Sequence, residues 1–178
     1  MLRLSRIEPI SGHEQAHSED EIRILMKESH KSGFIDNTEL SFVDNIFDFA
    51  DTMAREIMIP RTEIVCLYAS LSYEENKEMA FTEMHTRYPV CEKDKDQIIG
   101  FVHIKDLIKT SGSEELRVII RPLLSVPESM QISQVLKLMQ KKRTHMALLI
   151  DEYGGTSGLV TIEDISTKLT ICVFPEYY

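Results

Sequence analysis

Apolar residues recur every three or four positions in two stretches near the start of the chain. In the first stretch, Ser18 and Glu21 have the spacing of a helix capping box and precede an amphipathic run. In the second, apolar residues form a stripe over 42–57 that is typical of a helix with one buried face. The pattern therefore predicts an N-terminal helical segment over 18–57, ended by Pro60.

Beyond Pro60, short β-type runs alternate with helical runs, and the whole series occurs twice. The first series predicts strands at about 63–68, 88–92 and 98–103, with helices at about 73–85 and from about 104. The second series predicts strands at about 123–126, 146–150 and 156–160, with helices at about 131–142 and after Thr161. The pattern therefore predicts two copies of a β-α-β-β-α unit.

Residue identities support this repeat. Gly158 follows Gly100 by 58 positions, and the same offset aligns Asp164 with Asp106. It also aligns Val102 with Val160, Ile104 with Ile162, and Thr86 with Thr144. Each copy alone is too small to bury its own sheet well, so we expect the two to pack face to face as a pseudo-symmetric pair. Such packing leaves a cleft between the copies.

Composition and charge exclude several classes of protein. With 43% hydrophobic and 28% charged residues over 178 positions, the chain is globular and not disordered. Its net charge of −9 repels a phosphate backbone, which excludes nucleic acid as a partner. It has no run of about 18 apolar residues and no signal-peptide core, so we expect this fragment itself to be soluble. Three dispersed cysteines without a C-x-x-C pair fit a reducing, cytosolic setting.

Five stretches carry a resemblance to a known family. They are MIPRTEIV (58–65), TRYPV (86–90), GFVHIKDL (100–107), HMALLIDEYGGTSGLVTIEDI (145–165) and GFIDNTELSFVDNIFDFAD (33–51). With these stretches the chain resembles a tandem cystathionine-β-synthase (CBS) domain pair. It resembles more closely the cytosolic part of the CorC/HlyC and CNNM membrane proteins, which include hemolysin-like bacterial sequences. The resemblance implies an α/β (α+β) fold, in which a tandem CBS pair follows N-terminal helices.

The resemblance divides the chain into five parts. Residues 1–17 are expected to be a juxtamembrane or flexible segment, and 18–57 the N-terminal helices. CBS repeat 1, called copy one below, spans 58–113, and CBS repeat 2, called copy two, spans 114–165. The tail, 166–178, departs from the acidic helix that is typical of the family at this point, so we expect it to be vector-encoded or frameshifted.

Thr161 and Asp164 have the spacing of an ordinary helix cap, in which both side chains bind free backbone N–H groups. A helix N-terminus that faces a cleft also offers donors and an acceptor carboxylate to a sugar hydroxyl or a phosphate. In CBS pairs this pattern is an adenine-nucleotide signature, so the resemblance implies that Asp164 accepts from ribose hydroxyls. Copy one keeps Asp106 as a weaker candidate but has His103 in place of the threonine. We therefore expect one nucleotide per pair, bound mainly by copy two.

The stretches PRTEI and TRYPV have a simple structural explanation, with prolines that stiffen the backbone, a turn threonine and solvated arginines. The resemblance implies that they also line the adenosine pocket. The residues concerned are Thr62, Ile64, Arg87, Tyr88 and Pro89. Because the chain carries a net charge of −9, binding of a polyphosphate depends on local cations such as Arg87 and on Mg²⁺. The expected ligand is ATP or AMP, with Mg²⁺.

HEQAH at 13–17 matches the H-E-x-x-H motif, in which two histidines bind zinc and the glutamate is the general base. The segment has no apolar face and the chain offers no evident third ligand. A zinc hydrolase is therefore a remote alternative, and we expect no catalytic residues.

The leading hypothesis is a regulatory nucleotide-sensing module that is not an enzyme. The resemblance implies a homodimer formed through the CBS pairs, at the cytoplasmic face of the cell membrane. It also implies a parent protein with a transmembrane domain and a C-terminal transport-associated domain, linked to Mg²⁺ or Co²⁺ efflux. The rival from another class is a ligand-free dimerisation module of the same membrane protein, which adenine nucleotides would not stabilise.

Overall fold

The computed structural model describes residues 17–109 and 116–173 of the chain. They fall into two compact units, one ending at Asp44 and one beginning at Asn45. The second unit contains both copies of the repeat and the candidate site. No helix among the described residues is long and apolar enough to cross a lipid bilayer.

Two helices precede the repeats, α1 (Glu19–Lys31) and α2 (Asn37–Asp51). The first begins as predicted, because the Ser18 hydroxyl accepts the backbone N–H of Glu21 and the Glu21 carboxylate accepts the N–H of Ser18. The second stops well before Pro60. The predicted continuation of this helix over the rest of the apolar stripe is therefore wrong.

The helix α2 stops because the backbone that follows it pairs with another part of the chain. Ala54 donates its N–H to the carbonyl of Met130 at 2.8 Å, and Ile132 donates to the carbonyl of Thr52 at 3.0 Å. Backbone groups used in this way are not available to continue the i to i−4 ladder of a helix. One turn of 3₁₀ helix, Ala54–Glu56, then leads to the first strand.

The second unit contains the two predicted β-α-β-β-α copies. Copy one contains β1 (Ile59–Pro60), β2 (Leu67–Tyr68), α3 (Tyr73–Glu83), β3 (Arg87–Cys91), β4 (Ile98–His103) and α4 (Ile104–Lys109). Copy two contains a 3₁₀ turn (Leu116–Ile119), followed by β5 (Leu124–Pro127), α5 (Ile132–Lys142), β6 (Met146–Ile150), β7 (Thr156–Thr161) and α6 (Ile162–Val173). The strand predicted at 63–68 is shorter than expected, because only β2 pairs with a neighbour.

Each copy builds a sheet with the same strand arrangement. In copy one, β3 lies between parallel β2 and antiparallel β4, and in copy two β6 lies between parallel β5 and antiparallel β7. The strand β1 joins the sheet of copy two, with Ile59 opposite Leu159. The segment of copy two that leads into β5 makes the matching bridge to copy one, with Arg121 opposite Phe101. The two copies therefore exchange the segments that lead into them.

These exchanged segments explain the two glycines of the repeat. A Cβ at Gly158 would lie 2.6 Å from the carbonyl oxygen of Ile59, and a Cβ at Gly100 would clash with the carbonyl oxygen of Arg121. A backbone oxygen cannot rotate away as a side chain can, so only glycine allows so close an approach. The repeated glycine therefore marks the place where a segment of one copy crosses the other.

Three apolar clusters hold the second unit together. One lies within copy one, and another within copy two, where it also includes Ala54 from the segment ahead of the repeats. The third joins the two sheets and consists of Ile64, Cys66, Cys91, Met146, Leu148 and Leu159. Full burial of an aliphatic side chain contributes roughly 1.5–3 kcal/mol. The predicted face-to-face packing of the copies is confirmed by this third cluster.

Candidate functional site

A cleft of about 270 Å³ lies between the two copies. Copy one supplies Ile59, Glu63, Ile64, Val65, His85, Thr86, Arg87 and Pro89, and copy two supplies His145, Met146, Leu159, Thr161 and Glu163. Apolar side chains of the third cluster, such as Ile64, Met146 and Leu159, are shared between this wall and the core. The cleft therefore has a rigid apolar wall and polar groups that come from both copies.

The copy-two side of the cleft ends at the first turn of α6. The Asp164 carboxylate accepts the Thr161 hydroxyl at 2.7 Å and the Thr161 N–H at 2.8 Å, both on Oδ2, and the Thr161 oxygen accepts the Asp164 N–H at 3.2 Å. This reciprocal pair is a capping box, as the spacing predicted. Thr161 lines the cleft, and Asp164 lies directly behind it.

The copy-one side brings together three of the predicted residues. Ile64, Arg87 and Pro89 all line the cleft. Ile64 is nearly buried in the cluster that joins the sheets, and Pro89 is buried in the central strand of copy one. Arg87 is half-buried at the start of β3, so its guanidinium is a cation held at the cleft by a strand.

Four predicted residues do not line the cleft, namely Thr62, Tyr88, Asp164 and Asp106. The Tyr88 side chain is fully buried, where its hydroxyl donates to the carbonyl of Ala80 at 2.7 Å and accepts the N–H of His85 at 2.6 Å. Burial raises the pKa of this phenol. Thr62 is exposed, and its carbonyl accepts the Lys95 ammonium at 2.7 Å. Because side chains alternate along a strand, Tyr88 turns away from the face that Arg87 and Pro89 share with the cleft edge.

Five polar residues that line the cleft escaped the sequence prediction, Glu63, His85, Thr86, His145 and Glu163, and so did four apolar ones, Ile59, Val65, Met146 and Leu159. The repeat offset of 58 contained a signal for one of them, because it aligns His145 with Arg87. The two glutamates are exposed, so the cleft presents two carboxylates beside the Arg87 guanidinium. The two carboxylates repel an anionic ligand, whereas the Arg87 guanidinium attracts it.

The loop 61–64, which carries Glu63 and Ile64 to the cleft, is fixed by both copies. In copy one, the Arg61 guanidinium pairs with the Asp96 carboxylate in the hairpin between β3 and β4. In copy two, the carbonyl of Ser157 accepts the Arg61 N–H at 3.0 Å. Because Arg61 attaches this loop to both sheets, the neighbouring side chains of the loop are held in place for a ligand.

Copy one has a counterpart to the Thr161 and Asp164 pair with different chemistry. His103 ends β4 and is half-buried, and its Nδ1 accepts the N–H of Lys105 at 3.1 Å. Burial, and next the positive charge of Arg87, lower the pKa of His103. The Asp106 carboxylate is ion-paired with Arg121 at 2.6 Å. We call Ile59, Thr161 and Asp164 the copy-two half-site, and His103, Asp106 and Arg121 the copy-one half-site.

The HEQAH motif lies almost wholly outside the described residues. Of its histidines the structure describes His17, an exposed residue whose Nδ1 lies 3.2 Å from the Glu21 carboxylate. Within residues 17–109 and 116–173, no group of three or more histidine, cysteine, aspartate or glutamate side chains is arranged to hold a metal ion. The described part of the chain therefore offers no support for the remote zinc alternative.

Comparison with known proteins decides the family. The model of the CBS domain matches the chain twice, over residues 54–113 and 115–170. The chain belongs to the CBS-domain family. Its two copies are the two halves of a CBS pair, and the predicted tandem CBS fold is confirmed.

Relatives of this CBS pair include longer proteins of the predicted branch. The UPF0053 protein YrkA of Bacillus subtilis is 51% identical over 171 residues, which are 92% of this chain and 39% of YrkA. The magnesium and cobalt efflux protein CorC of Escherichia coli is 36% identical over 169 residues, which are 93% of this chain and 58% of CorC. The chain therefore spans about two fifths to three fifths of the relatives it matches, and the predicted kinship with CorC is confirmed.

Solved structures of CBS domains have the same fold. The CBS domain of a bacterial CNNM/CorC family Mg²⁺ transporter is 32% identical, with a TM-score of 0.74 over 86% of this chain and 96% of that chain. A structure of the CBS domain of a bacterial CNNM/CorC family Mg²⁺ transporter in complex with ATP is 33% identical, with a TM-score of 0.68 over 74% of this chain and 96% of that chain. A CBS-domain pair with bound AMP from Klebsiella pneumoniae is 26% identical, with a TM-score of 0.59 over 67% and 98%.

Proposed function

We propose that this CBS pair binds one adenine nucleotide, ATP or AMP, in the cleft between its copies and acts as a regulatory module. The observation that carries the proposal is the meeting of Ile64, Arg87, Pro89 and Thr161 from both copies in one cleft. The complexes of similar CBS domains with ATP and AMP support it. No chemical step is required of the module, and we assign none.

The nucleoside fits the inner part of the cleft. The cleft volume of about 270 Å³ lies near the lower end of the roughly 300–1,000 Å³ of small-molecule sites, so it suits a nucleoside better than a whole nucleotide. The base packs against the apolar wall that includes Ile64. The ribose lies at the Thr161 and Asp164 cap. A carboxylate has about four acceptor positions, and the capping box uses Oδ2 of Asp164, so Oδ1 can accept a ribose hydroxyl.

The phosphates extend toward the mouth of the cleft, where Arg87 supplies the positive charge. Glu63 and Glu163 at the same mouth repel a polyphosphate. Mg²⁺ relieves this repulsion, because it is bound by phosphate oxygens and by few protein ligands. We therefore expect Mg²⁺ to raise the affinity for ATP more than the affinity for AMP, which has fewer phosphate charges.

In its parent protein the module senses the nucleotide for a membrane domain. We propose that it forms a homodimer through its CBS pairs at the cytoplasmic face of the cell membrane. There it is coupled to a transmembrane domain and a C-terminal domain of a protein linked to Mg²⁺ or Co²⁺ efflux. Linkage requires only that the nucleotide prefers one arrangement of the dimer to another. That difference in affinity then biases the attached domain.

Thermal unfolding with added nucleotides tests the proposal. A ligand that binds the folded state stabilises it by RT ln(1 + [L]/Kd), about 2.7 kcal/mol at a hundredfold excess over Kd. We expect ATP or AMP to raise Tm, and GTP at the same concentration to serve as the control for general anion effects. If no adenine nucleotide raises Tm, with or without Mg²⁺, the module serves only to dimerise its parent.

A further inference from the structure

The two half-sites differ at the position where the exchanged segment crosses the glycine. In the copy-two half-site, Ile59 lies opposite Leu159, and Ile59 lines the open cleft. In the copy-one half-site, Arg121 lies opposite Phe101, the residue 58 positions before Leu159. Arg121 therefore occupies in copy one the place that an apolar wall residue occupies in copy two.

The arginine at this position binds the aspartate that a ligand would use. Arg121 and Asp106 are 2.6 Å apart, and the Asp106 side chain is only 25% exposed. Asp164, its counterpart, accepts hydrogen bonds from the neutral groups of Thr161. A guanidinium is a charge-assisted donor with several N–H groups, whereas a ribose hydroxyl is a single neutral donor. Both aspartates are bound at Oδ2, but Arg121 brings a whole guanidinium to Asp106 where Thr161 brings only a small hydroxyl and an N–H to Asp164, so a ribose would have to displace Arg121 to approach Asp106.

Two further differences between the half-sites also hinder a ligand in copy one. His103 takes the place of Thr161, and its ring nitrogen already accepts the N–H of Lys105. In one exchanged segment, the loop that brings Glu63 and Ile64 to the cleft separates Pro60 from β2. In the other, only Leu123 separates Pro122 from β5, which begins at Leu124. The copy-one half-site therefore lacks a counterpart to the loop 61–64, and it contains His103, a bulkier side chain than Thr161.

We propose that Arg121 closes the copy-one half-site as an internal ligand of Asp106, and so limits the CBS pair to a single nucleotide. The inference rests on the proposed function, because it concerns the number of nucleotides that are bound. It adds a specificity-determining position, 121 in one copy and 59 in the other. An apolar side chain there leaves a half-site open, and an arginine closes it.

Isothermal titration calorimetry with ATP and Mg²⁺ tests this inference. We expect one equivalent to bind to the unmodified chain, and a second, weaker equivalent to bind to the double variant Arg121→Ile with His103→Thr. Arg117→Ile is the matched control, because Arg117 lies in the same exchanged segment and forms an exposed ion pair with Glu92. This control should bind one equivalent.

The outcomes separate the two proposals. If the folded double variant still binds one equivalent, or if the unmodified chain already binds two, the inference about Arg121 is wrong while the proposed function stands. If the unmodified chain binds none, the proposed function fails, and the inference fails with it. Circular dichroism establishes whether each variant is folded.

A second variant transfers the arginine to the other copy. Ile59→Arg places a guanidinium across the cleft wall from Asp164, so we expect the affinity for ATP with Mg²⁺ to fall at least tenfold. Val118→Arg adds the same charge at an exposed apolar residue that does not line the cleft, and it should bind as the unmodified chain does. Unchanged affinity in Ile59→Arg would overturn the inference even if the double variant of copy one failed to fold.

Discussion

The two copies share one backbone arrangement but differ in the side chains around the end of their last strand. In both, a glycine lets the exchanged segment cross a strand, and an aspartate follows in the first turn of a helix. In copy two, Thr161 and Asp164 cap that helix beside an open cleft. In copy one, Arg121 is ion-paired with Asp106. The backbone of the repeat therefore creates two equivalent places, and a few polar side chains decide which of them can receive a ligand.

The helices α3 and α5 likewise share a backbone arrangement but differ in a buried side chain. Helices α3 and α5 both end at a residue with positive φ, Met84 and Arg143, and this alignment places Asn76 at the position of Val135. Asn76 is buried and binds both backbone groups of Tyr68, with its oxygen 2.8 Å from the N–H and its nitrogen 2.9 Å from the carbonyl. Copy one therefore uses a buried amide where copy two uses aliphatic packing.

The largest expected effect comes from the glycines, where the copies are alike. Gly158→Val should destabilise the fold by about 3 kcal/mol or more, at or above the roughly 1–3 kcal/mol typical of overpacking, because the opposing atom is the backbone oxygen of Ile59. Gly100→Val should cost a similar amount. Urea unfolding measures both. Gly155→Val is the control, because its φ is not positive and a Cβ there would meet only the carboxylate of Asp151, a side chain that can move. Equal stability of the Gly155 and Gly158 variants would contradict the crossing geometry.

An intermediate effect is expected where the copies differ in their cores. Asn76→Val installs the residue of copy two, but it leaves the half-buried backbone groups of Tyr68 without the amide, so stability should fall by about 1–3 kcal/mol. The reverse change, Val135→Asn, buries an amide among apolar neighbours and should cost a similar amount. Denaturant midpoints of the two single variants measure these losses. If Asn76→Val were neutral, the buried amide would not be needed for copy one.

The smallest expected effect is a pH dependence that belongs to copy one. Burial and Arg87, followed by Lys105 and Arg121, lower the pKa of His103, and Asp106 opposes them. The unfolded chain therefore takes up the proton first as pH falls through about 6.5, the ordinary histidine value. Stability should decline from there down to the folded pKa and become level below it. His103→Thr, the residue of copy two, should make the decline shallower, and proton NMR of the His103 ring measures the pKa directly. A ring that titrates above 6.5 would contradict this.

Much of the fold could be predicted because its signals are local. Ser18 and Glu21 specify one helix start, and the 58-residue offset between Gly100 and Gly158 specifies the repeat. The three-residue spacing of Thr161 and Asp164 predicted the cap at Thr161, which the structure contains. Each of these features depends on residues that are close in sequence or repeated at a fixed distance.

The features that sequence patterns missed depend on partners far along the chain. The apolar stripe up to Ile57 continues past the end of α2, because its later residues pack on copy two after the helix has stopped. Tyr88 lies in a stretch with family likeness, yet its hydroxyl bonds to Ala80 in the core. The ion pair of Arg121 with Asp106 forms only when the exchanged segment crosses copy one. No local pattern identifies such partners.

Titration of paired aspartate variants with ATP and Mg²⁺ tests whether the cleft beside Asp164 holds an adenine nucleotide. A ribose hydrogen bond to a carboxylate is worth about 1.5–3 kcal/mol, so Asp164→Ala should weaken binding by roughly tenfold or more. Asp106→Ala, the matched control, should bind as the unmodified chain does. Wild-type affinity in a folded Asp164→Ala variant, or an equal loss in both, would contradict the account.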